Sequence, residues 1–427
     1  MPERAHSRDR AVSLGATILG SCLVRLAGAA TGVMLGFMLA NIHRRGGGGE
    51  SSAMAISLLM IAFNASELVG APLAGLLIDR LGLRPLLLAG PVLGVIAEFM
   101  LAAPPRLGLL VIARLVQGLT AACTIPAALA YLSDSSGKLG ERGRLMGFFE
   151  VGSVGGLAIG YTVGGLLWDR LHRAGFFDLL VIYGFGIGCF LLVQGKEKRP
   201  TQVHGLDWRA LRHAADLMPA WLALNAAAGV WFGQAAYQLS GAHPVPNQLL
   251  SVGFSGRTIG IIFGVYTLLF AIGTISWGLV IGRVSIAMAM RIGAIGVVLA
   301  AVSILGINHA SHFGGLQFRL PLAIGVIALA AETAFTPAAL TLLAARSDAV
   351  PERRGALMGI YSTLLAGGQL IGAAIGGVFA MAWGIDGLVL ATACLGILGF
   401  LTLPSVANTL NTGLSRSDWR GSERSTS

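Results

Sequence analysis

Three ionisable side chains, Arg25, Glu67 and Glu332, stand inside long apolar runs. At a helical rise of about 1.5 Å per residue all three fall near mid-depth of their runs. A charge at the centre of a bilayer costs at least about 2.5–3.5 kcal/mol, so such groups face a water-filled cavity or a partner and mark substrate or ion pathways. Asn64 precedes Glu67 by three residues and shares its helical face, a polar pair that could bind substrate or hold Arg25. The plainer alternative is a static ion pair between Arg25 and Glu67 that fixes helix packing. Arg114 and Gln117 also share a face and suit an anionic substrate group or a proton-coupling element; snorkelling of Arg114 to the outer interface is the competing account. Carboxylates at mid-depth are the usual members of membrane proton relays, so either Glu67 or Glu332 is the expected proton carrier, and which of the two it is stays open. Glu150, one or two turns inside its run, suits a cytoplasmic gate, and Glu98, near an outer end, reads as interfacial. Trp221, Trp231, Phe232, Tyr237 and Tyr266 could wall an apolar substrate site or simply pack.

Other chemistries find less support. Gly253-Phe-Ser255-Gly256, followed by His309 and His312, matches a short serine-protease pattern, but both pieces fall in expected outer loops rather than on facing buried helices. There is no GxxxxGK[ST] loop for ATP and no HExxH helix. Cys22, Cys123, Cys189 and Cys394 lie inside apolar runs without CxxC spacing, so they are expected to pack rather than bind metal or pair. No cofactor and no metal are expected.

The elements that must carry these residues are membrane helices. Of the 427 residues, 55% are hydrophobic and 12% charged. In soluble proteins about 25% of residues are charged, so the composition is that of a membrane protein. Twelve runs are long enough to cross about 30 Å of hydrocarbon. They are 16–41, 53–78, 86–103, 107–132, 145–168, 176–194, 219–240, 259–281, 292–307, 320–345, 356–382 and 387–406. The alternating ten-residue pattern of a β-barrel is absent. With the N-terminus inside, the inner segments hold 21 of the 30 Lys and Arg and the outer loops 7. This enrichment places both termini in the cytoplasm of a multi-pass cell-membrane protein. His43, Arg44 and Arg45 dissent locally. The net charge of +10 follows from the same asymmetry, so anionic lipid rather than nucleic acid is the expected counterpart.

The polar stretch 195–218 separates six runs from six and reads as a cytoplasmic linker. Trp208, Leu211, Ala215 and Met218 repeat within it at helical spacing, as in an interfacial helix, although a solvated loop fits too. The Ser- and Arg-rich segment 407–427 has little to bury and is expected to be disordered. The halves, 1–194 and 219–406, repeat each other. Gly75-Leu-Leu-Ile-Asp-Arg80 matches Gly278-Leu-Val-Ile-Gly-Arg283, and Pro126-Ala-Ala-Leu129 matches Pro337-Ala-Ala-Leu340. Residues 142–165 align without gaps to 354–377, with 11 of 24 positions identical. Each match places a helix on the one six later, a parallel repeat known among transporters.

Gly75-x-x-x-Asp79-Arg80-x-Gly82-x-Arg84, between the second and third runs, resembles the signature loop of the major facilitator superfamily. The resemblance implies twelve transmembrane helices in two pseudo-symmetric six-helix bundles, an all-α fold, with this loop latching the halves in the outward-open state. Pro85 replaces the last basic residue of that signature, and Gly282 replaces the acid in the second copy. Gly156-x-x-x-Gly160-x-x-x-Gly164-Gly165 looks like the family's antiporter motif, with Tyr161 where that motif has Pro; Gly368, Gly372, Gly376 and Gly377 repeat it. Spacing by four aligns these glycines on one face, which would also serve as a close-packing seam between the halves. Arg114-x-x-Gln117-Gly118 resembles a further family motif whose Arg is linked to proton coupling. Together these resemblances imply a monomeric, proton-coupled exporter of a drug-like or amphipathic small molecule, working by alternating access. An importer or lipid flippase of the same fold, and a non-transporting receptor or scaffold, are the alternatives.

Overall fold

The computed structural model describes residues 2–46, 52–135, 139–193, 215–242, 244–281, 283–348 and 354–403. The linker residues 195–214 and the tail 407–427 lie outside the described residues. Apart from a bridge between Ile281 and Val284, the described residues are helices and turns. Without water in the hydrocarbon, helices are how an apolar chain satisfies its own peptide groups.

The first half holds α1 (Pro2–Arg44), α2 (Ala53–Leu81), α3 (Leu83–Ala102), α4 (Leu107–Ser135), α5 (Leu139–Leu171) and α6 (Gly175–Leu191). The second holds α7 (Met218–Trp231), α8 (Gln234–Leu239), α9 (Gly256–Val280), α10 (Ile286–Asn308), α11 (Leu316–Glu332), α12 (Phe335–Asp348) and α13 (Arg354–Thr402). Nine segments among the described residues are long and apolar enough to cross a membrane, and two of them, Leu145–Leu191 and Thr363–Thr402, have the length of two crossings. The first of these turns at His172, with φ of 51°, and the second at Gly384, with φ of 60° and ψ of −130°. With the interrupted span of α7 and α8, the count is twelve.

Three boundaries differ from the sequence reading. The polar N-terminal segment does not precede α1 as a tail; it is the first part of that helix. The seventh span breaks at Phe232–Gly233, where Gly233 takes a φ of +78°. The tenth breaks at Thr333–Ala334. Pro337 accounts for that break, because its ring lacks an N–H and crowds the carbonyl of the residue four earlier, Thr333. Pro126 sits at the equivalent place in α4, and there the helix continues.

Within the first half α1 packs on α5 and α6, α3 on α4 and α6, and α2 on α4; in the second α7 packs on α13 and α10 on α11. The halves meet where α5 crosses α9 and α2 crosses α13. The antiporter-like glycines explain how the helices come so close, and the arrangement corrects the expectation of a single seam between halves. A Cβ on Gly160 would lie 2.9 Å from Ala29 Cβ, and one on Gly164 would lie 2.6 Å from Ala30 Cα, both on α1 of the same half. Gly156 lies against Cys22 and Arg25 of that helix. Gly368, Gly372 and Gly376 pack in the same way on Asn225, Ala226 and Val230 of α7. The last glycine of each set crosses over: Gly165 abuts Gly256 and Gly260 of α9, and Gly377 abuts Ser57 and Met54 of α2. These crossings lie at the helix ends remote from residues 10 and 403.

Candidate functional site

A closed polar network lies inside the first half. Glu98 of α3 is 0% exposed, and its Oε1 accepts from Thr31 Oγ1 of α1 at 2.5 Å and from Gln117 Nε2 of α4 at 2.9 Å. Gln117 Oε1 accepts in turn from the Arg114 guanidinium. Arg114 is 2% exposed; its Nε donates to Leu59 O at 3.4 Å, and its Cζ stands 4.4 Å over the ring centroid of Phe63. Tyr183 of α6 packs against Gly94. The network leaves Glu98 Oε2 buried without a partner. An orphan buried acceptor costs about 1–3 kcal/mol unless a proton, a water or a ligand satisfies it.

This placement corrects two expectations. Glu98 is not interfacial, and Arg114 does not snorkel to the outer surface. Gly90, Gly94 and Glu98 recur at intervals of four, so the close-packed face of α3 was written in its glycines and pointed Glu98 inward. Thr31 gave no comparable signal.

Between the halves lies a second group. Arg25 of α1 is within electrostatic range of Glu67 of α2 and of Glu150 and Tyr161 of α5. Arg25 and Glu67 stand near each other without closing a salt bridge, unlike His309 and Asp386, which meet at 2.9 Å. Arg25 Nε and Asn64 Oδ1 are buried without partners, while Asn64 Nδ2 donates to Met60 O at 2.9 Å. Tyr161 meets Phe263 of α9 edge-on across the halves at 5.7 Å, and Tyr266, one turn on, is in electrostatic range of both Tyr161 and Glu332. Glu332 is the last residue of α11, at the break caused by Pro337, with its backbone against Gly296 of α10. Electrostatic proximity thus links Glu67, Arg25 and Tyr161 within the first half and Tyr161, Tyr266 and Glu332 across to the second, a polar path from α2 to α11 made by nearness rather than by ion pairs. Of the expected aromatic wall, Tyr266 joins it. Trp221 and Tyr237 are core residues, and Trp231 Nε1 is held by Thr392 Oγ1 at 2.8 Å.

The signature loop turns at Gly82, with φ of 85°, and its N–H caps α2 by donating to Ile78 O at 2.8 Å. Arg84 donates to Leu191 O at the end of α6, where a cation complements the helix dipole. Gly75 has open space around it, Arg80 is exposed, and the side chain of Asp79 lies outside the described residues. Ser255, the residue of the protease-like pattern, is the N-cap of α9; its Oγ accepts from Thr258 N at 3.2 Å. His309 binds Asp386 and His312 binds Ser311. Among the described residues no cluster of His, Cys, Asp and Glu could hold a metal ion. A cavity of about 1040 Å³ lies apart from the polar path, at the C-terminal end of α10 and the bend of α13, beside Gln248, His309 and Asp386.

The sequence matches the Major Facilitator Superfamily over residues 17–316 and 245–416. This chain belongs to the major facilitator superfamily. It is an integral membrane protein of a transporter family. Among curated relatives, the quinolone resistance protein NorA of Staphylococcus aureus (strain MRSA252) is 24% identical over 49% of this chain and 56% of its own length. The class C tetracycline resistance protein of Escherichia coli is 31% identical over 37% of this chain and 40% of its own. The aligned part thus spans about half of these relatives. Among solved structures, the nucleoside transporter NupG superposes with a TM-score of 0.70 at 12% identity, covering 92% of this chain and 99% of that one. A D-xylose-proton symporter gives 0.68 at 18%, covering 91% and 96%. At these identities the structures establish the shared facilitator fold.

Proposed function

We propose that this facilitator exports a drug-like or amphipathic small molecule across the cell membrane in exchange for protons, with both termini cytoplasmic. The observation that carries the reading is the electrostatic proximity that links Glu67 through Arg25, Tyr161 and Tyr266 to Glu332, reaching from one half to the other. Mixed charge lined by aromatic rings suits an amphipath, whose apolar body packs on the rings while its polar group meets Glu67, Asn64 or Arg25. The Thr31–Glu98–Gln117–Arg114 network lies beside this path and offers a carboxylate with an unused oxygen, the property a coupling proton needs. Partial identity to quinolone and tetracycline resistance proteins supports export and this substrate class.

The test is substrate flux in liposomes holding the purified protein, under imposed pH gradients of either sign. Export by exchange predicts accumulation driven by an acidic lumen. A scaffold would carry no flux, and a symporting importer would accumulate substrate under the opposite gradient.

A further inference from the structure

The repeat makes the starts of α2 and α9 equivalent: offset by 203 positions, Ser52 falls on Ser255 and Ala53 on Gly256. Both serines cap their helices, Ser52 Oγ accepting from Ala55 N and Ser255 Oγ from Thr258 N. At both starts the first residue of the helix is also bound across the halves, but by different chemistry. Gln234 Nε2 donates to Ala53 O at 2.6 Å and to Ser57 Oγ at 2.9 Å, a neutral tie. At α9 the acceptor is a carboxylate. Asp169, near the end of α5, accepts from Gly256 N and Arg257 N, each at 2.7 Å, through its two separate oxygens. The contact of Gly165 with Gly256 brings the carboxylate into reach.

Arg44 completes the arrangement. It belongs to the outer basic cluster that the loop-charge rule leaves unexplained, and its guanidinium donates to Ser240 O at 3.0 Å, just past the end of α8. The first half thus supplies an anion to the amide end of one helix and a cation to the carbonyl end of another, both in the sense that stabilises helix termini. Hydrogen bonds with one ionised partner are roughly twice as strong as neutral ones.

We infer that Asp169 and Arg44 form a charge clamp that holds the two halves together on the face remote from the termini, and that its release is a step of the transport cycle. Asp169 is the principal positioning residue, since it holds two amide protons where Arg44 holds one carbonyl. The inference rests on alternating access, but not on the direction of transport or the substrate.

Pulsed electron spin distance measurements on the full chain test it, in a background where the four native cysteines are replaced. One label pair, Arg173→Cys with Val252→Cys, reports on the clamped face; a second, Pro85→Cys with Arg283→Cys, reports on the opposite face. Asp169→Asn should raise the ratio of separated to closed populations at the clamped face by roughly tenfold, Asp169→Glu should retain most of the closed population, and Arg44→Gln should shift it in the same direction by less. If both faces show two populations that neither Asp169→Asn nor Arg44→Gln alters, the clamp is wrong while alternating access stands. If neither face shows a second population under any pH or substrate, alternating access fails and the clamp with it.

Discussion

Gln117 Nε2 donates to Glu98 Oε1 at 2.9 Å, tying α4 to α3 and placing a fully buried carboxylate at the end of a chain that begins at Arg114. Because Gln117 donates with its nitrogen and accepts with its oxygen, it connects the guanidinium and the carboxyl group without letting them touch.

Replacing Glu98 by Gln preserves the volume and the acceptor for Thr31 but removes the ionisable oxygen. Proton-driven flux should fall by about tenfold or more, a barrier change of ~1.4 kcal/mol, while energetically downhill exchange of substrate persists. Flux measured with and without a pH gradient separates these, and unchanged driven flux would remove Glu98 from the coupling route.

Arg114→Ala strips Gln117 and the network of their cation. Leaving Gln117 Oε1 buried without its donor costs about 1–3 kcal/mol, so the melting midpoint in detergent should drop clearly. Arg114→Lys should recover part of the loss, since an ammonium restores charge but not the planar fork. A melting curve identical to wild type for Arg114→Ala would show that the network carries no stability.

How far these residues were legible in sequence depended on what surrounds them. Twelve crossings, the repeat and the mid-depth positions of Arg25, Glu67 and Glu332 follow from run length and depth, which need no knowledge of neighbours. Glu98 was misjudged because distance from a helix end says nothing of rotation about the axis; Gly90 and Gly94 held that information. The breaks at Gly233 and Thr333 escaped because both spans are apolar throughout, and only the backbone constraints of Gly233 and Pro337 interrupt them. The glycine sets were visible as close-packing faces, yet which helix each face meets is a tertiary fact.

That fact can be tested by crowding. Gly164→Val would drive a side chain into Ala30 of α1. It should destabilise the fold by about 1–3 kcal/mol or more. Gly155→Val, where a Cβ meets nothing within 4 Å, should be neutral within error. Equal melting behaviour of the two variants would contradict the packing described.

The two carboxylates at the ends of the polar path are separable by substitution. Glu67→Gln and Glu332→Gln should each be made and assayed across external pH. The variant that loses the proton carrier should show flux indifferent to the gradient, while the other should change the apparent affinity for substrate more than its response to pH. Retention of full pH response in both would transfer the proton to Glu98.

The account turns on exchange of a proton for an amphipath, and liposomes with an acidic lumen measure that most directly. Protein-containing vesicles should accumulate a labelled quinolone or tetracycline several-fold above protein-free vesicles, and added substrate should make the lumen more alkaline. Accumulation no greater than in protein-free vesicles across a broad panel of amphipaths, or accumulation only when the outside is acidic, would contradict it.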